Sequence, residues 1–225
     1  MKVIEVVIAD DHRIVRAGLR QVLAEVSDLK VIAEASNGKM VLQYLNESVS
    51  QGITPHVLLL DIALPEMDGL EVLQWVRKHH PTVAVLMLST YPEKQYAVHC
   101  IRHGAAGYLN KSADADDLIA AIRKAAMGGV YVTPATAEAM AHALSASTPP
   151  DPASLLSHRE YQVYKLLIVG QSVTQIGAQL GLASNTVSTY RSRILEKTGA
   201  KNDVELALYA ERWQQQASRP PSAWS

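Results

Sequence analysis

Val57–Gly69 reads VLLLDIALPEMDG, four apolar residues running into an aspartate and then into a segment that cannot continue a strand. A short unbroken apolar run predicts a strand buried on both faces, as in the middle of a parallel sheet. Asp61 then falls at the carboxyl end of that strand, the edge where open α/β folds place their chemistry. Pro65 and Gly69 punctuate the loop that follows. A lone aspartate in such a place most often caps a turn, so the weight given to Asp61 depends on what the flanking sequence brings to it.

Upstream, the β-branched run Val3–Ala9 ends in Asp10-Asp11, and Val15, Leu19, Val22 and Val26 then recur at helical spacing. Val31–Ala35 reads as a second strand, and Asn37-Gly38 opens a segment with Val41, Tyr44 and Leu45 on one side. Downstream, Leu70, Leu73 and Val76 mark a helix closed near His80-Pro81. Val83–Leu88 and Tyr108-Leu109 are further strands; Ala97, Cys100 and Ile101 line the short helix between them. Leu118, Ile122 and Ala125 mark a fifth helix, ended by Gly128-Gly129. Five βα units in series predict an α/β fold, a (βα)5 doubly wound parallel sheet over residues 1–128.

Residues 129–154 read as a linker that begins with a helix, Pro134–Leu144, and ends in SASTPPDPAS. Residues 155–216 then change to an all-α pattern of four helices. Ser157-His158-Arg159-Glu160 and Ser172–Gln175 are capping boxes. Gly181-Leu182-Ala183 is a tight turn, Ser184 is expected to cap the next helix, and Asn202–Glu205 starts a fourth with Leu206 and Tyr209 inside. Residues 217–225 are a tail; Ser222–Ser225 resemble the start of a streptavidin-binding affinity tag and are set aside.

The chain has 225 residues, 48% hydrophobic and 19% charged, which suits ordinary globular domains. No apolar stretch approaches the roughly 20 residues of a membrane span, and MKVIEVVIADD does not fit a signal peptide, so the cytoplasm is the expected compartment. Cys100 is the only cysteine, which excludes a disulfide framework and cysteine-based metal sites. The histidines, His158 among them, show no metal-ligand spacing and are read as surface or packing residues. Residues 1–127 carry 13 Lys and Arg against 15 Asp and Glu, residues 155–213 carry 7 against 5. That asymmetry is too small to argue nucleic-acid binding by itself.

In a five-stranded parallel sheet the ends of the first and third strands lie side by side, which brings Asp10, Asp11 and Asp61 to one rim. Three carboxylates there repel one another unless a cation sits among them. Oxygen donors with room for water suit Mg²⁺, with Mn²⁺ as a substitute. Such a centre serves in-line phosphoryl transfer. Lys111 follows the fifth strand and Ser89 ends the fourth, so a cation and a hydroxyl can meet a phosphoryl group there.

Together these residues resemble a family. Asp10-Asp11, Asp61, LPEMDG (64–69), Ser89 and GYLNK (107–111) resemble the receiver domain of bacterial two-component response regulators. The resemblance implies Asp61 as phosphoacceptor, Asp11 as principal Mg²⁺ ligand with Asp10 assisting, and the Ala63 backbone carbonyl completing the protein ligands. It also implies Ser89 as switch hydroxyl, Tyr108 as switch aromatic and Lys111 as the cation paired with the phosphoryl group. Many receivers follow the lysine with proline, often cis; here Ser112 follows, and a cis bond would cost about 3 kcal/mol, so this loop is expected to differ. Ala63 offers no side chain to guide or block an attacking water.

Residues 172–197 read as helix, turn, helix, the helix-turn-helix arrangement. On a wheel from Ser184 to Lys197, Val187, Ile194 and Leu195 turn inward. Short hydroxyls outside can bond base edges, and Arg191, Arg193 and Lys197 can meet phosphates. Residues 156–210 resemble the LuxR/NarL-type DNA-binding domain, which implies a last helix that often dimerises. The DNA-contact candidates are Ser184, Asn185, Thr186, Ser188, Thr189, Arg191, Ser192, Arg193 and Lys197. Gly177 replaces a more usual alanine, at up to about 1 kcal/mol in helix propensity.

The joint reading is a NarL/FixJ-type response regulator, not an enzyme beyond its own phosphotransfer and dephosphorylation. A sensor histidine kinase would phosphorylate Asp61, and a homodimer would bind promoter DNA, with RNA polymerase as a further partner and no membrane. Other readings are a DNA-binding regulator that works without phosphorylation, a small-molecule-sensing quorum regulator and an aspartyl-phosphate phosphatase. The quorum regulator's ligand domain lacks this acidic pocket, and the phosphatase would want an acidic residue where Ala63 stands.

Overall fold

Five strands alternate with five helices through the first part of the chain: β1 (Ile4–Ala9), α1 (Arg13–Ala24), β2 (Leu29–Ala35), α2 (Gly38–Ser50), β3 (Val57–Asp61), α3 (Gly69–His79), β4 (Ala84–Ser89), α4 (Glu93–Arg102), β5 (Gly107–Asn110) and α5 (Ala115–Ala126). Among the described residues five further helices follow: α6 (Pro134–Ser145), α7 (His158–Leu167), α8 (Val173–Leu180), α9 (Ser184–Thr198) and α10 (Asp203–Ala217). This computed structural model describes residues 3–50, 52–90, 93–145 and 156–217. The proline-rich stretch read as a linker (from residue 146) and the tail from residue 218, with its tag-like end, lie outside the described residues.

The sheet has the order β2-β1-β3-β4-β5, parallel at every pairing. β3 is its middle strand and is buried along its whole length, which is why its sequence is an apolar run rather than an alternation. Each of Val57–Leu60 is fully buried, worth about 1.5–3 kcal/mol per side chain relative to exposure. One apolar cluster joins β1, β3, β4 and β5 to Leu23 of α1 and to Leu118, Ala121, Ile122 and Ala125 of α5. The (βα)5 fold and the adjacency of β1 and β3 agree with the sequence reading.

The first compact unit runs from Met1 to Leu144, past the boundary expected at residue 128. Specific bonds hold the added piece. Tyr131 bridges Gly107 of β5, its N–H donating to the Ala106 carbonyl at 2.7 Å and its hydroxyl to Asp117 at 3.1 Å. Thr133 and Thr136 both donate their hydroxyls to Glu93 Oε1 at the start of α4, and Thr136 is buried.

The second unit, Ser145–Ser225, has its own core of Leu156, Val163, Tyr164, Leu167, Ile176, Val187, Ile194, Leu206 and Ala210. Both capping boxes form, Ser157 with Glu160 and Ser172 with Gln175. Three details depart from expectation. Ser184 does not cap α9: Gly181 ends α8 in the left-handed region, and the Ala183 carbonyl then accepts from Thr186 and Val187, so Ala183 is the cap and Ser184 is already helical. On α10, Ala210 is buried one position after Tyr209, which is only half-buried. Gly177 is more than a propensity loss, because a Cβ there would lie 2.7 Å from the Leu182 carbonyl.

Candidate functional site: an acidic rim and a helix-turn-helix

Because all five strands run the same way, their carboxyl ends share one rim, and the residues just past them converge. Asp10 follows β1, Asp61 ends β3, Ser89 ends β4 and Lys111 follows β5. Lys111 Nζ lies 2.8 Å from Asp61 Oδ2, to which it donates a hydrogen bond. It also lies 2.6 Å from Asp10 Oδ2, yet that buried oxygen receives no hydrogen bond of good geometry. The contact is therefore an ion pair without a directed bond, and Asp10 keeps acceptor capacity facing the rim.

Asp10 is fully buried and Asp61 nearly so. Burial pushes the Asp61 carboxyl above its ordinary range, against the opposing pull of the Lys111 hydrogen bond and charge. For Lys111, burial acts to lower the pKa, but the two carboxylates beside it, Asp10 and Asp61, outweigh burial and hold the ammonium above its usual value. The remaining Asp61 oxygen, Oδ1, accepts from the Ala63 N–H at 3.2 Å.

Asp11 points outward and meets His12, whose Nδ1 lies 2.6 Å from Asp11 Oδ1. The His12 N–H also donates to Asp10 Oδ1 at 2.8 Å. Ligand atoms of Asp10, Asp11, His12 and Asp61 all lie within 4.8 Å of one another. His12 is exposed, as read for a surface histidine, and it stands beside the cluster because it directly follows the acidic pair. A cluster of carboxylate oxygens with a buried, under-bonded Asp10 oxygen fits a divalent cation.

The loop after Asp61 is shaped to keep that carboxylate in place. Asp68 caps α3, accepting from Leu70 N–H at 2.8 Å while Glu71 returns to the Asp68 N–H at 3.3 Å. At Gly69 a Cβ would sit 2.1 Å from the Asp61 carbonyl, so only glycine lets α3 start this close to β3. Glu66 turns with a positive φ of 65° and is held by Asn37 Nδ2 at 3.1 Å and Lys39 Nζ at 3.0 Å. The polar half of LPEMDG thus serves geometry, and Asp61 just before it faces the rim.

Ser89 and Tyr108 are both buried. Burial drives the Tyr108 phenol well above its ordinary pKa, partly offset by its hydrogen bond with Ser89. The Tyr108 ring therefore already lies inside, beside Ser89. No peptide bond among the described residues is cis, the Lys111–Ser112 bond included. That loop is braced instead by Asn110 Oδ1, which accepts from the Ser112 N–H at 2.9 Å and hydroxyl at 2.7 Å.

In the second unit, α8 and α9 form a helix-turn-helix around Gly181. Ser184, Asn185, Thr186, Ser188, Thr189, Ser192, Arg193 and Lys197 are exposed, and Val187 and Ile194 are buried. Arg191 is half-buried, its Nε donating to both oxygens of Asp203 at 2.8 and 3.1 Å. Lys197 Nζ lies 2.7 Å from Glu160 Oε2. Neither partnership was anticipated from the sequence.

An acidic rim with a central lysine on a (βα)5 unit, followed by a helix-turn-helix unit, defines a signal-responsive DNA-binding regulator. Residues 6–123 match the response regulator receiver domain family, and residues 154–210 match the bacterial regulatory proteins of the luxR family. UhpA, a transcriptional regulatory protein of Escherichia coli strain K12, is 39% identical over 204 residues, covering 91% of this chain and 96% of its own. The response regulator GacA of Pseudomonas syringae pv. syringae is 34% identical over 210 residues, covering 93% and 96%. A structure of RcsB from Salmonella enterica serovar Typhimurium, 23% identical, shares the fold with a TM-score of 0.59 over 93% of this chain and 99% of that one. The chain belongs to the two-component response regulators of the NarL/FixJ type, which join a receiver to a LuxR-type helix-turn-helix domain.

Proposed function

We propose that Asp61 accepts a phosphoryl group from a sensor histidine kinase and that this controls dimerisation and sequence-specific binding to promoter DNA. The observation that carries the reading is the shared ammonium of Lys111, set between the nearly buried Asp61 and the fully buried Asp10. In the transfer, a carboxylate oxygen of Asp61 forms the new P–O bond as the P–N bond to the kinase histidine breaks, leaving an acyl phosphate. Lys111 supplies positive charge where negative charge accumulates. Asp10, Asp11, Asp61 and the Ala63 carbonyl would hold Mg²⁺, or Mn²⁺ in its place. When bound, the ion neutralises charge on the transferring oxygens. Ser89 offers a hydroxyl to the phosphoryl group, at the cost of its bond with Tyr108, so the buried ring is the element that must readjust.

The outer face of α9 would enter the major groove, with Ser188, Thr189 and Ser192 toward base edges and Arg193 toward phosphate. A homodimer would set two such helices on half-sites about 10 bp or a multiple apart. RNA polymerase is the expected downstream partner, and the cytoplasm is where kinase and DNA are both met. Among the described residues no helix is long and apolar enough to cross a membrane. The receiver's only catalysis would be its own phosphorylation and dephosphorylation.

The test is labelling by acetyl phosphate with Mg²⁺ for wild type and Asp61→Asn. The wild type should label and shift toward dimer, and the variant should do neither. Equal labelling of the variant would sink the assignment of Asp61.

A further inference from the structure

Two cations of α9 are paired inside the protein, and the two pairs differ in kind. Arg191 and Asp203 are both partly exposed, with side-chain exposures of 34% and 43%. Water and salt compete for such a pair, and a DNA phosphate can replace the carboxylate at small cost. Glu160 is different, since it is only 2% exposed. Its Oε2 accepts from the Ser157 N–H at 2.7 Å and from Lys197 Nζ at 2.7 Å. A carboxylate this far from water is left unpaired only at a large penalty, so Lys197 stays with it.

Position on the helix argues the same way. Lys197 stands nine residues, two and a half turns, beyond Ser188, opposite that exposed serine, and one turn beyond Arg193 on the side that Arg193 shares. Along the axis it is about 20 Å from Ser184 at 1.5 Å per residue, far from the end that would lead into the groove. Glu160 meanwhile closes the capping box of α7 with Ser157. One side chain therefore fixes both the start of α7 and the last turn of α9, and Val163, Tyr164, Leu167 and Ile194 fill the same core between them.

We propose that Lys197 is a positioning residue: through buried Glu160 it sets the angle of α9 and does not neutralise a DNA phosphate. The inference rests on the DNA-binding reading and refines it. A helix pinned at its last turn presents Ser188, Thr189 and Ser192 at one angle, and base readout depends on that angle far more than phosphate attraction does.

The test uses the full chain and two fluorescent duplexes, one selected from a random-sequence pool by the wild type and one of mixed sequence. Binding is measured across a salt series for wild type, Lys197→Met, Lys197→Arg, Glu160→Gln and the Lys197→Met/Glu160→Gln double variant. The expected result is a loss of about tenfold or more in preference for the selected duplex in both Lys197→Met and Glu160→Gln. The double variant should be no worse than the weaker single one, and Lys197→Arg should recover most of the preference. The slope of log K against log salt should stay at the wild-type value. A slope flattened by about 0.9 in Lys197→Met would overturn the proposal, as would tighter binding by Glu160→Gln or an unchanged preference. If Glu160→Gln melts early, Lys197→Met, which leaves the capping box in place, decides the question alone. Binding of neither duplex by the wild type would remove the DNA-binding reading itself, and this inference with it.

Discussion

Lys111 Nζ stands 2.8 Å from Asp61 Oδ2 and 2.6 Å from Asp10 Oδ2, so one ammonium answers two carboxylates that are almost wholly out of water. Replacing it strands both. Breaking a buried pair by removing one partner costs about 3–5 kcal/mol, and Lys111→Met should fall at or above the lower end because two acids lose their counter-charge. Urea unfolding at neutral pH measures this. A loss under about 1 kcal/mol, the value of an exposed pair, would contradict the burial described for the rim.

Asp61→Asn should act in the opposite direction. Burial raises the Asp61 pKa above that of an unfolded aspartate, so the folded receiver binds this proton more tightly than the unfolded chain does. Stability from this group is then full below the unfolded pKa and is lost as pH rises through the raised folded value. Asparagine carries no such penalty. The variant should melt higher than wild type at neutral pH, with the gap opening upward from the ordinary carboxylate range and then levelling. Thermal melts from pH 4 to 8 check the sign; a gap that closes with rising pH would refute it.

The rim residues could be read from sequence because each lies at a strand end, and a parallel sheet converts strand ends into neighbours without further information. Asp10, Asp61, Ser89 and Lys111 follow from that rule alone. What stayed hidden depends on contacts that no local pattern encodes. The pairing of Lys197 with Glu160 spans 37 positions and that of Thr133 with Glu93 spans 40. His12 joins the acidic cluster only because the chain after β1 turns its imidazole back onto Asp11. The Ala-rich Pro134–Ser145 helix lacks a strong apolar stripe, so its membership in the first unit rests on polar anchors that periodicity does not reveal.

Those anchors carry a prediction. Glu93 accepts from both Thr133 and Thr136, and the Thr136 hydroxyl is buried. Glu93→Ala removes the common acceptor and leaves a buried donor unsatisfied, at about 1–3 kcal/mol. The loss should be local. Hydrogen exchange should quicken at the amides of Thr136 and Ala137, which bond to Thr133, while the amides of β3 and β4 keep their protection. Unchanged exchange at 136–137 would show that α6 is held by other means.

Gly177 separates two arguments about one residue. Helix propensity alone says that Gly177→Ala should stabilise α8 by up to about 1 kcal/mol. The tertiary structure says otherwise. The Leu182 N–H donates to the Gly177 carbonyl at 2.9 Å, folding the turn back over the helix, and an added Cβ would lie 2.7 Å from the Leu182 carbonyl. That obstacle is backbone, so it yields only by moving the turn that sets α9 against α8. Overpacking of this kind costs about 1–3 kcal/mol, more than propensity returns. Gly177→Ala should therefore lower the melting temperature of the second unit, by calorimetry on the full chain with hydrogen exchange assigning the transition. A rise would mean that the turn moves freely and that propensity governs the site.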